Sequence, residues 1–156
     1  MQNEETAIYG EVPGGQALLS WFDCVPDFHD AEILSLHLNR KGSSVLRLHG
    51  WITTYQEDPE DRRIILKKHA VVTFTLDEIM DLQLDGFSIQ NVIGGLILRR
   101  APDRADRRNY LALKPLQDDI EIELEPCYGL SGFIRARSVT IRFKPGEPEK
   151  ADALDH

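Results

Sequence analysis

Leucine and isoleucine recur at every second position in several stretches of this 156-residue chain. The clearest stretch places Leu34, Leu36 and Leu38 on one side, with polar residues between them. Since the side chains of a strand point alternately to opposite faces, a period of two predicts a half-buried β-strand. The same alternation returns after Leu46 and again over residues 120–124. Taken along the whole chain, it predicts about seven or eight short strands in series.

One segment, residues 16–22, has helix-forming and apolar residues at helical spacing and is followed by Pro26, which predicts a short helix. Helices do not alternate with strands, so a parallel sheet of βαβ units is not expected. We predict a mostly β fold: an antiparallel meander forming a sandwich or a partly open barrel, with one short N-terminal helix. Residues 1–15 are predicted to be a loose lead-in, residues 16–145 a single β-rich domain, and residues 146–156 a mobile tail.

Turn residues predict where the strands begin and end. The acidic pair Asp77 and Glu78 should separate one strand from the next. Residues 92–98, apolar on both faces, should form a central strand. Gly94 and Gly95 within that strand indicate a bulge or a close backbone approach. Residues 110–113 read as another short strand. In the last strand the apolar parity switches, which predicts a bulge near Ser138.

The turn at 41–43 predicts the register of the first hairpin. If Arg40 pairs with Ser44, then His37 lies opposite Arg47 and diagonal to His49. Two histidines on one face could begin a metal site, but the charge of Arg47 opposes a bound cation. We therefore favour a solvated or partner-binding sheet face.

A second hairpin, centred near Gly129, concerns the glutamates at 121, 123 and 125. They alternate with isoleucine and leucine, and the stripe could receive a basic partner. The predicted register instead sets Glu123 opposite Arg135 and Glu121 opposite Arg137, so we favour internal ion pairs at an exposed position. The arginine-rich residues 99–108 lack interleaved aromatic residues, which favours a charged surface loop over a nucleic-acid site.

The formal net charge of -8 argues against nucleic-acid binding, because phosphate recognition needs clustered lysine and arginine. No apolar run reaches the ~20 residues of a membrane helix. The chain opens with polar and acidic residues instead of a signal peptide, and Cys24 and Cys127 form no paired motif. We therefore expect a cytoplasmic protein with reduced thiols, no cofactor and no membrane contact.

One short motif holds three residue types that could do chemistry, namely His29, Asp30 and Glu32. Their spacing suits a metal site poorly, because alternation along a strand separates His29 from the other two. A structural role, in which Asp30 accepts backbone N–H bonds at the start of a strand, is the simpler reading. The chain carries no nucleophile, phosphate-loop or zinc-protease motif, so no catalytic residue and no metal ligand is assigned.

Three segments together resemble a known family: residues 28–33 (FHDAEI), residues 82–87 (LQLDGF) with QNVI at 90–93, and residues 128–132 (YGLSG). Their order is similar to that of small bacterial proteins of the immunity protein 50 type, which are found beside polymorphic toxins, and the resemblance spans roughly residues 20 to 145. It implies a cytosolic protein that binds and neutralises a cognate toxin without catalysis of its own.

This first hypothesis, an immunity-type inhibitor, needs an acidic surface if the toxin is basic. The candidate partner contacts are the polar-loop residues Glu57, Asp58, Glu60 and Asp61, with His37, His49 and an exposed Trp51 on the outer sheet face. A second hypothesis is a small-molecule- or metal-binding β-barrel, with or without enzymatic activity, for which His29, Asp30, Glu32 and Asn91 would line the pocket. A third is a self-associating module that pairs two exposed sheet edges.

Overall fold

The computed structural model describes residues 4–149, without the side chain of residue 55. Two short helices come first and are followed by six strands. The elements are α1 (Glu4–Glu11), α2 (Gly15–Phe22), β1 (Glu32–His37), β2 (Ser43–Glu57), β3 (Ile64–Asp85), β4 (Gly95–Arg100), β5 (Ile120–Glu125) and β6 (Ser131–Pro145). A short 3-10 helix, Ala105–Tyr110, lies between β4 and β5.

All neighbouring strands are antiparallel, in the order β1-β2-β3-β6-β5-β4. The sheet therefore consists of two three-stranded meanders, joined where β3 pairs with β6. It does not close into a barrel, and β1 and β4 form its two edges. The predicted fold class, mostly β with an antiparallel meander, is confirmed.

One face of the sheet, here called the inner face, holds the hydrophobic core. Cross-strand register sets Leu46, Phe74 and Ile141 in one row, and all three are buried. The helices supply the other side of this core through apolar residues of both. Covering one face of an antiparallel sheet leaves the opposite side, the outer face, to polar residues.

The segment before β1 plugs the core with Phe28, which lies against Phe22 and Phe74 with edge-on ring geometry. Its backbone has a φ of 56°, in the left-handed region that a bulky residue rarely adopts. Gly50 makes room for this ring, because a Cβ at that position would lie 2.7 Å from the ring of Phe28. The buried position of the Phe28 ring therefore requires a glycine at position 50.

The N-terminal region differs from the prediction of a loose lead-in over residues 1–15. Residues 4–11 form α1, and Ile8, Tyr9 and Val12 are buried in the core. Burial explains the helix, because its sequence carries almost no amphipathic signal of its own. The structure thus has two N-terminal helices instead of one. The predicted tail, residues 146–156, lies mostly outside the described residues.

A single long strand, β3, replaces the two strands predicted around residues 77–78. Glu78 adopts a φ of 54° and the register shifts between Ile79 and Asp81, so the strand bends there and continues. The buried face of β6 switches between Ala136 and Val139, but the predicted bulge near Ser138 is wrong, because pairing is regular through Ser138 and the register shift lies on β3. The expected central strand at 92–98 is wrong, since β4 begins at Gly95 and lies at an edge.

Both predicted hairpin registers are wrong by two residues. His37 pairs with Val45, and Arg47 pairs with Ser35. The loop between β1 and β2 is longer than predicted, which shifts the pairing while preserving the faces. The predicted strand at 110–113 is absent from the described residues, where 3-10 helix precedes an irregular stretch. None of the helices within residues 4–149 has the length and apolar character that crossing a bilayer requires.

In the second hairpin, Glu121 pairs with Arg135 instead of Arg137, and Glu123 pairs with Phe133. The two expected ion pairs do not form, because Arg135 and Arg137 both bind Asp119, but both glutamates pair with other arginines. Glu121 is fully buried and lies against Arg99 and Arg104, while Arg99 also contacts Glu123. Internal pairing of the stripe is therefore confirmed for these two glutamates, and the predicted exposed setting is wrong for Glu121, whereas Glu123 stays partly exposed.

Candidate functional site

The structure brings the motif residues at 29–32 against residues 91–94. Asp30 N donates to Ile93 O at 3.0 Å, and Ile33 N donates to Asn91 O at 2.8 Å. His29 Nδ1 lies 3.0 Å from Gly94 O, which raises the pKa of His29, with a further contribution from the charge of Asp30. The two motif segments therefore pair as backbone neighbours.

The side chains of His29 and Asp30 stay largely exposed, 3.5 Å apart. Asp30 has a φ of 64°, and its backbone continues the irregular path of Phe28 into β1. Across residues 4–149 no three histidine, cysteine or acidic side chains are placed to share a metal ion. The geometry of this motif indicates a structural role, in which it joins two backbone segments.

Asn91 is a buried clamp. Its Oδ1 accepts hydrogen bonds from Ser88 N at 2.9 Å and Leu130 N at 3.0 Å, and its Nδ2 donates to Ser88 O at 2.8 Å. Three of its four hydrogen-bonding sites thus hold backbone. Gly129 packs so closely that a Cβ there would lie 2.6 Å from Asn91 Oδ1. Asn91 therefore fixes the loop 86–91 to the turn between β5 and β6.

The fixed loops present three large apolar side chains to solvent, a surface here called the tip: Phe87, Ile89 and Tyr128. Phe87 is 66% exposed, Tyr128 60%, and Ile89 is fully exposed. Beside them lies a groove of about 400 Å³ whose lining includes Leu36, Phe87 and Leu130. Exposed apolar residues that cluster on a rigid support are typical of a protein-binding surface.

Three carboxylates lie on the segments that carry the tip or pair with them. Asp85 begins the loop of Phe87, Glu125 lies three residues before Tyr128, and Glu32 is joined to Tyr128 through bridges to Val92. All three are exposed, and none forms an ion pair with another described residue. This rim, Glu32, Asp85 and Glu125, therefore gives the tip a negative potential.

The polar loop that was predicted to contact a partner is the turn between β2 and β3. Asp58 Oδ1 accepts from Glu60 N at 2.8 Å, and Asp61 Oδ1 accepts from Arg63 N at 3.0 Å. These two carboxylates cap their own turn and remain accessible. Glu57, at the end of β2, is also accessible. The loop joins the start of β3, whereas the tip follows its end, 22 residues later.

The structure does not bring the predicted histidines and tryptophan together with that loop. His37 is exposed at the far end of β1. His49 Nε2 lies 2.9 Å from His69 Nδ1. The pKa of His49 is lowered, mainly by burial and secondly by the neighbouring His69. Trp51 contacts both imidazole rings and is half-buried, so the prediction of an exposed Trp51 is wrong.

Sequence reasoning also missed a dense ion-pair layer on the outer face. The segment 101–119, here called the strap, crosses β5 and β6 and carries Asp119, which is 1% exposed. Arg135 Nη2 lies 2.8 Å and Arg137 Nη1 2.7 Å from its carboxylate. Arg107 of the strap binds Asp81 of β3. The strap arginines are therefore neutralised by the chain itself.

Signals for these features were present in the sequence. Two of the three tip residues, Phe87 and Ile89, lie inside a turn segment of glycine, serine, asparagine and glutamine, where large apolar residues have no core to fill. The strap alternates arginine with aspartate at 103–108, which is typical of internal pairing. Neither pattern has a period, so neither predicts which strands the side chains meet.

Comparison of the chain with protein-family models, with curated proteins and with solved structures finds no match. The site must therefore be understood from its own geometry.

Proposed function

We propose that this chain is a non-catalytic binding protein that docks a partner protein through the tip. The observation that supports this most is the exposure of Phe87, Ile89 and Tyr128 on loops held by the buried Asn91 clamp. Large apolar side chains on a preorganised surface lose little entropy on binding and supply most of the energy of an interface.

The rim favours a basic partner. Five carboxylates near the strap are each neutralised by an arginine: Asp81, Asp103, Asp119, Glu121 and Glu123. The rim carboxylates have no such partner among the described residues. An apolar centre with a negative rim fits a surface with an apolar pocket and surrounding lysine or arginine, and opposite potentials speed the encounter.

The form of function proposed is that of an immunity protein, as the family resemblance implies: a cytoplasmic bacterial protein that binds a cognate toxin and neutralises it. Within this hypothesis, we propose that the toxin contacts the tip instead of the loop at residues 57–61. Phe87 and Tyr128 of the tip and Asn91 of the clamp belong to the segments that carry the resemblance, and Ile89 lies in the gap between residues 82–87 and 90–93.

Growth rescue tests the function. Toxin candidates encoded beside this gene are expressed in a sensitive host with the wild-type chain, with Ile89→Asp, and with Ile64→Asp as the matched control. Ile64 is another exposed isoleucine, at the opposite end of β3 from the tip. We expect the wild type and the Ile64 variant to restore growth and the Ile89 variant to fail.

Equal rescue by both variants would remove the tip from the function, and absence of rescue against every neighbouring gene product would contradict the immunity role. Because both side chains are exposed, thermal melting should show both variants folded. That control separates a lost contact from a lost fold.

A further inference from the structure

The outer face of β2, β3 and β6 forms an open trough at the end of the sheet that the strap leaves uncovered. Register places Arg47, Thr73 and Arg142 in one row across the three strands. The next row is formed by His49, Val71 and Lys144. Val71 and Thr73 of β3 thus form the floor, and longer side chains of β2 and β6 form the two walls.

The dimensions of this trough suit an extended chain. Neighbouring strands lie ~4.8 Å apart, so the two walls stand about 10 Å apart. The groove between them measures about 260 Å³ and is lined in part by Arg47, Thr73 and Arg142. Along each wall, side chains on one face repeat every second residue, about 6.6 Å.

The walls are basic in a chain of net charge -8. Arg142 is exposed and forms no ion pair with another described residue. Lys144 has one such ion pair, an exposed one with Glu149 at 3.3 Å. Arg47 already interacts with another group. The positive charge that remains available to a ligand is therefore mainly on β6.

Two carboxylates of the chain itself already lie at the edge of the trough. After the turn at Gly146, Glu147 lies 3.8 Å from His69 Nε2, and Glu149 reaches Lys144. This short stretch shows which chemistry the walls attract: acidic side chains spaced two residues apart.

We propose that the trough binds an extended acidic peptide segment of a partner protein. The glutamates of an extended strand repeat on one side with the same spacing as the wall cations, so successive carboxylates can face Arg142 and Lys144. The surface is separate from the tip, and its ligand has the opposite charge. Its failure would leave the tip hypothesis untouched.

Fluorescence anisotropy with labelled hexaglutamate and the full chain tests this proposal. A net negative protein repels a polyanion in general, so saturable binding requires a local basic site. We expect binding that weakens with salt and that Arg142→Gln reduces by about two- to fivefold. Lys144→Gln should act in the same direction, whereas Arg40→Gln, in the exposed turn after β1, should leave binding unchanged.

A glycine-serine hexamer of equal length should not bind. Absence of saturable hexaglutamate binding, or equal losses in the Arg142 and Arg40 variants, would overturn the proposal. Selective displacement by inorganic phosphate at constant ionic strength would assign the trough to a small dianion and would likewise overturn it. Thermal melting checks that Arg142→Gln stays folded, and Lys144→Gln provides a second, independent reading.

Discussion

Replacing Asp119 by asparagine should destabilise the chain more than any surface charge change. Both carboxylate oxygens accept hydrogen bonds: Oδ2 from Leu116 N at 2.8 Å and from Arg135, and Oδ1 from Arg137. An asparagine would turn one acceptor into a donor that faces other donors. Arg135, whose side chain is 7% exposed, would then keep a buried charge without its paired carboxylate, while its hydrogen bond from Nη1 to Pro102 O remains.

Breaking a buried ion pair from one side costs about 3–5 kcal/mol. For a chain of this length, each kcal/mol lowers the melting temperature by about 2–4 °C, so a loss of roughly 6–20 °C is expected. Urea denaturation at pH 7 measures the free energy of unfolding, and thermal melting gives the temperature. Asp103→Asn is the matched control, because the Asp103–Arg108 pair is exposed and its loss should change little.

The same carboxylate gives a pH test. Desolvation raises the pKa of Asp119, but the hydrogen bonds from Leu116, Arg135 and Arg137 outweigh it, and the folded-state pKa lies below the ordinary 3.8. The unfolded chain therefore takes up the proton first as pH falls, and this stabilisation is lost from about pH 5 downward. Wild type should lose stability in acid more steeply than Asp119→Asn. A cost no larger than that of Asp103→Asn would refute the reasoning.

Three further predictions concern the core, the clamp and the imidazole pair. Gly50→Ala should cost about 1–3 kcal/mol in urea denaturation, because its Cβ would press on the ring of Phe28. Asn91→Ala should cost about 1–3 kcal/mol by orphaning backbone donors and should loosen the tip in amide exchange, whereas Gln90→Ala, at an exposed position, should do neither. The lowered pKa of His49 means that the unfolded state binds its proton more readily, so stability should fall as pH drops below the ordinary 6.5. His49→Gln should flatten this slope in denaturation series between about pH 7 and pH 5.

The period of two in the sequence predicts the strands well because each side of a strand meets one environment. Ile122 and Leu124 alternate with glutamates, and the structure buries both apolar residues on the inner face. Register is harder, because the pairing depends on the length of the turn. The loop after His37 is longer than the sequence suggested, and the whole hairpin shifts by two residues.

Features that depend on distant contacts could not be predicted. Helix α1 forms because Tyr9 and its neighbours find a core built by strands far along the chain. Glu121 looks like a solvated residue of an alternating strand, yet the strap folds over it and two arginines compensate its burial. Of the predicted site, the motif residues and Asn91 do meet, but the apolar tip that they support has no periodic signal.

Binding affinity at the tip tests the central claim most directly. The measurement is titration calorimetry of the wild type, Phe87→Ala and Ile64→Ala with whichever toxin the growth-rescue assay identifies. Truncating a central apolar anchor typically costs ~2 kcal/mol or more, so Phe87→Ala should weaken binding by about 30-fold or more, with Ile64→Ala within about twofold of the wild type. Unchanged affinity in the Phe87 variant, with the fold intact, would show that the partner docks elsewhere.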